Sequence, residues 1–194
     1  MERALSIATD IGGGDCPEEP TYVTSGEKMG EEADAQVWKR AFFDAPYLQS
    51  AMVSLGVVAD TFETSITWDK FDAFYKHVTA RVEESMRIAG GGAGGVLTSR
   101  FSHVYPDGPA PYLTFVSKAP PGKELEVWRA IKEAASQAVV EGGGTITHHH
   151  AVGRVHRAQY ERERAPLFGS VLSAVKSELD PGGILNPGAL LPAK

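Results

Sequence analysis

The segment from Val96 to Lys118 constrains this chain most. Two stretches of alternating residues, Val96 to Tyr105 and Pro111 to Lys118, flank a turn containing Pro106-Asp107-Gly108-Pro109. Proline presets φ, glycine reaches conformations other residues avoid, and aspartate bonds nearby backbone, so the two stretches are predicted to pair as a β-hairpin. Val57 to Thr67 upstream is rich in β-branched residues and reads as a strand. Asp69 can cap a helix with Phe71, Phe74, Tyr75, Val78, Val82 and Met86 on one stripe, stopped by the glycine run Gly90 to Gly95. After the hairpin, Pro120-Pro121-Gly122 opens a helix that turns Leu125, Trp128, Ile131, Ala135 and Ala138 to the core. Gly142 to Gly144 stops it, and Thr145 to Val152 reads as a strand. The order β-α-β-β-α-β predicts an α+β fold of ferredoxin-like type: an antiparallel sheet with both helices on one face and extra helices at either end. The other face is left free for a partner domain or a ligand.

Outside this block the signals are weaker. Ala4 to Ala8 fits a helix end stopped by Gly12-Gly13-Gly14, and residues 15–30 read as loop. Ala33, Val37, Trp38, Ala41 and Phe42 have helical spacing. Asp44 and Pro46 look like the N-cap and an early position of a next short helix bearing Leu48, Met52 and Leu55. Two helices, around 157–165 and 167–179, are expected on either side of Pro166. Composition excludes more than it identifies. The 194 residues carry 25 acidic and 19 basic groups, a net charge of -6, which disfavours a nucleic-acid partner. No stretch approaches the ~18 apolar residues of a membrane span. The start of the chain does not read as a signal peptide, and Cys16, the one cysteine, precludes an internal disulfide. A cytoplasmic location is the resulting expectation.

His148-His149-His150 is the sharpest local feature. On a strand, His148 and His150 share a face about 7 Å apart and His149 points away. Such a pair could bind a metal, a phosphate or a redox cofactor, or form an exposed polar strand end. A zinc site has no cysteine pair or nearby carboxylate in the sequence to support it, so no metal is expected. Alternation places Arg100, Ser102 and Val104 on one face of the first hairpin strand and Phe101, His103 and Tyr105 on the other. Arg100 is costly to bury without an anion; on an open face it could converge with Tyr112 and the histidines on an anionic ligand. The glycine runs follow helices, the wrong order for a phosphate loop. Trp68 and Trp128 are assigned to the core.

Four segments together carry a resemblance. They are Asp60 to Asp69, Ser102 to Gly108, Gly143 to Gly153, and Leu179 to Gly188 with its Asp-Pro-Gly-Gly-Ile-Leu-Asn-Pro-Gly run. From about residue 33 to the end, the chain resembles FAD-linked oxidases of the vanillyl-alcohol-oxidase type, and among them alkyldihydroxyacetonephosphate synthase and its bacterial relatives. The resemblance implies the cap, or substrate, domain of an FAD-dependent oxidoreductase. Residues 1–32 would be an incomplete start of the cap region or a linker, 33–156 the cap, and 157–194 helices and a tail returning to the flavin. The FAD-binding domain would be a missing partner, so the chain alone is expected to be inactive and without bound FAD. A small-molecule substrate and self-association are also expected.

By the same resemblance His150, His148 and Tyr112 are catalytic. Arg100, Gln49 and His149 contact substrate, and His149 and Asn186 contact the cofactor. His150 is expected closest to the chemistry, His148 its support, and His149 the least involved. Gln49 stands where the synthase has a substrate-binding arginine, and a neutral amide cannot grip an anionic head group as a guanidinium does. The alternative reading is a non-catalytic ferredoxin-like binding or dimerisation module.

Overall fold

A computed structural model of the chain describes residues 3, 6, 7, 10 and 34–193. The expectations for Cys16, the 12–14 glycines and the 15–30 loop lie outside the described residues. Packing divides the chain into two units, 1–45 and 46–194, with the boundary at Pro46. Helix α1, Asp34–Ser54, crosses that boundary without interruption. Asp44 and Pro46 therefore do not start a new helix: one missing N–H removes a single rung, and the α1 ladder continues.

The second unit holds the predicted α+β order up to its last strand. It comprises β1 (Val57–Glu63), α2 (Trp68–Ala89), β2 (Gly95–Val104), β3 (Pro109–Lys118) and α3 (Glu124–Glu141). Two short helices follow, α4 (Arg157–Glu163) and α5 (Pro166–Leu179), the latter with Pro166 in its first turn. The sheet is antiparallel with order β1-β3-β2. Its helix-facing side contributes Val58, Phe62, Leu113 and Phe115 to the core. These pack against Phe74, Val78, Val82 and Met86 of α2 and Val127, Ile131, Ala135, Ala138 and Val139 of α3. The period-3.6 stripe of α2 matches expectation. On α3 the buried stripe runs through Val127, while Leu125 is exposed. Trp128 is half-buried against the core, as assigned, whereas Trp68 is 42% exposed and donates its indole N–H to the Tyr105 carbonyl.

The expected fourth strand does not form: residues 145–150 follow bends with no ladder. Their backbone donors are taken elsewhere. Thr145 N–H reaches the Ser65 carbonyl, Ile146 N–H reaches the Glu163 carboxylate, and the His148, His149 and His150 N–H groups all reach one oxygen of Glu63. A donor bound to a carboxylate is unavailable to a sheet, so composition that favours a strand is overridden.

The hairpin turn packs tightly. Trp68 N–H donates to the Asp107 carbonyl and Tyr105 N–H to the Gly108 carbonyl. A Cβ on Gly108 would overlap the Ile66 carbonyl oxygen and lie 2.9 Å from both Ile66 C and Thr67 Cα. These are backbone atoms and cannot rotate away. Gly108→Ala is expected to destabilise the chain by about 1–3 kcal/mol, read as a lower denaturation midpoint in urea. An unchanged midpoint would show that the turn has room to yield.

Candidate functional site

The sheet face opposite the helices is open to solvent, and its cross-strand register sets out the site. Glu63 stands opposite Tyr112, and Tyr112 opposite Arg100, so a carboxylate, a phenol and a guanidinium form one row across three strands. Arg100 lies over the Tyr112 ring, its Cζ 4.6 Å from the centroid. The Tyr112 hydroxyl donates to Thr61 Oγ1 at 3.1 Å.

His103 reaches this face through a β-bulge, contrary to the simple alternation. The register shifts between Phe101 and His103, and His103 then stands opposite Ala110, on the Tyr112 side of β3. The extra residue breaks the period of two, which turns His103 away from Phe101 and onto the face of Arg100. Phe101 stays on the helix side, edge-on to Trp68 and Phe71.

Glu63 is the residue that sequence reasoning missed. It is 2% exposed. One oxygen, Oε1, accepts the N–H groups of His148 at 2.7 Å, His149 at 2.7 Å and His150 at 2.9 Å, and the Thr147 hydroxyl at 2.7 Å. Three successive N–H groups converging on one anion form a nest, which a regular strand cannot supply. The chain leaves the run through Ala151 at φ +64° and Gly153 at φ +54°. The left-handed backbone at Ala151 is unusual for a residue with a Cβ. The only sequence signal for Glu63 was its place one step past Phe62, which puts it on the open face. Burial pushes the Glu63 carboxyl up; the Thr147 hydroxyl and the three N–H donors outweigh this and hold it below its ordinary value.

The nest fixes β1 from above, and a second network fixes it from below. Asp60 Oδ2 accepts from the Trp128 indole at 2.8 Å and pairs with Lys132 Nζ at 3.3 Å; Lys132 also donates to the Thr61 carbonyl at 2.7 Å.

With the nest in place, the three imidazoles do not alternate. The strand argument that set His148 and His150 against His149 is therefore overturned. His148 Nε2 meets the Tyr105 hydroxyl at 3.1 Å, and its Nδ1 lies 3.2 Å from His149 Nδ1. His149 stacks on Tyr112 with ring centroids 6.2 Å apart, and His150 meets Tyr112 edge-on at 5.1 Å. His103 packs edge-on against both His148 and His149 and stacks on Tyr105. His103, His148 and His149 each bring a ligating nitrogen within 4.8 Å of the others, a donor set a divalent cation could use. His150 also lines a cleft of about 300 Å³ with Asp60, Trp128, Lys132 and the 151–156 turn. Burial lowers its pKa, Glu63 opposes this, and His149 and Lys132 add to the lowering.

The structure thus brings Arg100, Tyr112, His148, His149 and His150 together, with Glu63, His103 and Tyr105 beside them. Gln49 is elsewhere. It donates to the Ala59 carbonyl at 2.8 Å, near the opposite end of β1, and lines a cleft of about 620 Å³ with Val53, Leu125 and Trp128. Asn186 lies in the tail, at φ +45°. The tail is tied to the turn after the histidines: Leu190 N–H to the Gly153 carbonyl, and Arg154 and Arg157 to the Pro187 and Gly188 carbonyls.

Residues 5–190 match the family described as FAD linked oxidases, C-terminal domain. The chain belongs to this family. Among curated relatives, alkyldihydroxyacetonephosphate synthase of Caenorhabditis elegans is 30% identical over 164 residues, which is 84% of this chain and 28% of that protein. The Trypanosoma brucei brucei protein of the same name is 28% identical over 156 residues, 80% of this chain and 25% of that one. The uncharacterized FAD-linked oxidoreductase YgcU of Escherichia coli K12 is 24% identical over 73% of this chain and 29% of its own length. A solved structure of alkyldihydroxyacetonephosphate synthase shares the fold with a TM-score of 0.55 at 18% identity, covering 78% of this chain and 24% of that one. The chain therefore spans about a quarter of the length of these relatives. Among the described residues, no helix is long and apolar enough to cross a membrane.

Glu63→Ala leaves three N–H groups and a hydroxyl without their acceptor, which is expected to cost about 3 kcal/mol or more, read by urea denaturation. Because the folded pKa of Glu63 is depressed, its stabilisation is complete above about pH 4.3 and is lost as pH falls through the folded value. Glu63→Gln should remove that part of the acid slope. The part due to Asp180, held at about 2 chiefly by Lys176, should remain. An acid profile identical in wild type and Glu63→Gln would refute the assignment.

Proposed function

We propose that this chain is the domain that shapes the substrate side of a flavin site in an FAD-dependent oxidoreductase. The observation that carries the reading is the gathering of three successive histidines, Tyr112, Tyr105, His103 and Arg100 on an open sheet face, in a member of the FAD-linked oxidase C-terminal family.

The residues fit part of an FAD molecule. Tyr112 and His149 present flat rings on the open face, with His150 edge-on beside them, which suits the edge or face of an isoalloxazine ring. The pyrophosphate is not served in the same way. Gly90–Gly95 and Gly142–Gly144 follow helix C-termini, where carbonyls rather than N–H groups are free. Another part of the complete enzyme would anchor the phosphates, and the Asn186 tail would lie along the cofactor.

When bound, the flavin supplies the acceptor for a hydride. The chain's own residues handle protons and orientation. A neutral imidazole of His149 or His150 takes a proton from a substrate hydroxyl, as general-base catalysis requires. Tyr105 and Tyr112 offer hydroxyls to the same ligand, and Arg100 provides the fixed positive charge for an anionic group. Gln49, distant from the histidines, would contact a substrate only if it extended along β1. Catalysis is not the only use for such a face. Leu167, Phe168, Val171, Val175 and Leu179 of α5 are all exposed apolar residues, which favours a second reading as an association module.

The purified chain is expected to lose FAD on gel filtration; stoichiometric retention would overturn the assignment of the phosphates to another domain. In a complete enzyme containing this domain, His149→Ala and His150→Ala are each expected to lower turnover per bound FAD by about 10²-fold or more. Full turnover in both variants would leave the association module as the surviving reading.

A further inference from the structure

We infer that Glu63 is a positioning residue that dictates which nitrogen of His149 carries the proton. Its Oε1 is filled by four donors. Its other oxygen, Oε2, is buried without a geometrically sound hydrogen bond. The nearest nitrogens are His149 Nδ1 at 3.2 Å and His148 Nδ1 at 3.7 Å. Those two nitrogens are themselves 3.2 Å apart. His149 Nδ1 is 3.2 Å from both of the other atoms and cannot set a lone pair against two lone pairs, so a proton must sit among the three. A carboxylate oxygen accepts only, and the proton belongs on the nitrogen nearer to it. His149 is therefore the Nδ1–H tautomer, with the proton between Glu63 Oε2 and His148 Nδ1.

The rest of the cluster follows from that proton. His148 Nδ1 accepts, so neutral His148 carries its proton on Nε2 and donates it to the Tyr105 oxygen, 3.1 Å away. The Tyr105 hydroxyl is then free to donate outward. The His149 Nε2 lone pair also remains free on the exposed ring that stacks on Tyr112. The opposite assignment, with His148 Nδ1 as donor, sets the bare His149 Nδ1 against the bare carboxylate oxygen at 3.2 Å, which is repulsive. The consequence for chemistry rests on the reading of this face as a substrate site: His149 offers a base and Tyr105 an acid, while Glu63 touches neither ligand nor solvent.

The tautomers belong to the chain alone and are read without cofactor, so their failure and the failure of the flavin reading are separate results. Imidazole nitrogen shifts from long-range proton–nitrogen correlation spectra of the labelled chain, taken at about pH 8.5, where neutral imidazoles prevail, distinguish the forms. His149 is expected to show a protonated Nδ1 and a bare Nε2. A bare Nδ1, or a ring protonated on both nitrogens, overturns the inference. In Glu63→Gln the new amide must keep its oxygen on the four donors, which puts its NH₂ where Oε2 stood. That group donates to His149 Nδ1 and is expected to invert the His149 tautomer; an unchanged tautomer in a folded variant overturns the inference. Tyr105→Phe bypasses any folding defect at Glu63. It is expected to leave the His149 and His148 tautomers unchanged, because His148 Nδ1 still accepts the His149 proton; a change at His149 would show that Tyr105, not Glu63, sets the proton.

Discussion

The buried Glu63 carboxylate is the interaction on which the histidine face depends. Removing a charge from water is costly, and the structure offsets that cost with four donors on one oxygen, three of them consecutive backbone N–H groups. The exchange works in both directions. The carboxylate finds in the backbone a substitute for water, and the backbone from Thr147 to His150 finds an acceptor in place of a neighbouring strand. Because the N–H groups turn inward together, the side chains of His148, His149 and His150 spread over the open face instead of alternating through the sheet. Asp60, Lys132 and Trp128 hold the same strand on the helix side, so the anchor is itself anchored.

A second carboxylate completes the argument for the missing strand. Glu163 accepts the Ile146 N–H and the Thr145 hydroxyl, each at 2.7 Å. Between them, Glu63 and Glu163 take four backbone donors of the segment that would otherwise have extended the sheet beside β1. A three-stranded sheet is the product of that competition. The edge of β1 is partly covered by a side chain instead, since Gln49 donates to the Ala59 carbonyl.

Local pattern made the hairpin, both core helices and their glycine stops legible, because each is fixed by residues a few positions apart. The β1–β3–β2 core was legible for the same reason: Phe62, Leu113, Phe115, Phe74 and Val78 lie where the two periods place them. Three features of the site escaped. The bulge before His103 costs one residue of register and leaves no mark in alternating composition. The loss of the fourth strand was hidden because Thr145-Ile146-Thr147 is β-branched and would suit a strand equally well. Glu63 was hidden because its partners are 84 to 87 residues away in sequence. A carboxylate that accepts backbone N–H groups at that distance has no periodic signature, and its neighbours Asp60 and Thr64 look no less polar.

The same geometry bears on what the face can recognise. Glu63, the anion that the described residues place on this face, is buried with four donors on one oxygen, so it repels an anionic ligand less than an exposed carboxylate would. Its one exposed guanidinium, Arg100, is held flat over Tyr112 and is thereby preorganised to present its edge along the sheet. Burial, with the nearby His149 and Lys132, lowers the His150 pKa. Among the described residues, a single guanidinium over Tyr112, beside the histidines, suits one negative group better than a multiply charged one, for which several cations close together would be needed. The imidazoles face out because a glutamate invisible from the surface turned three backbone amides toward itself.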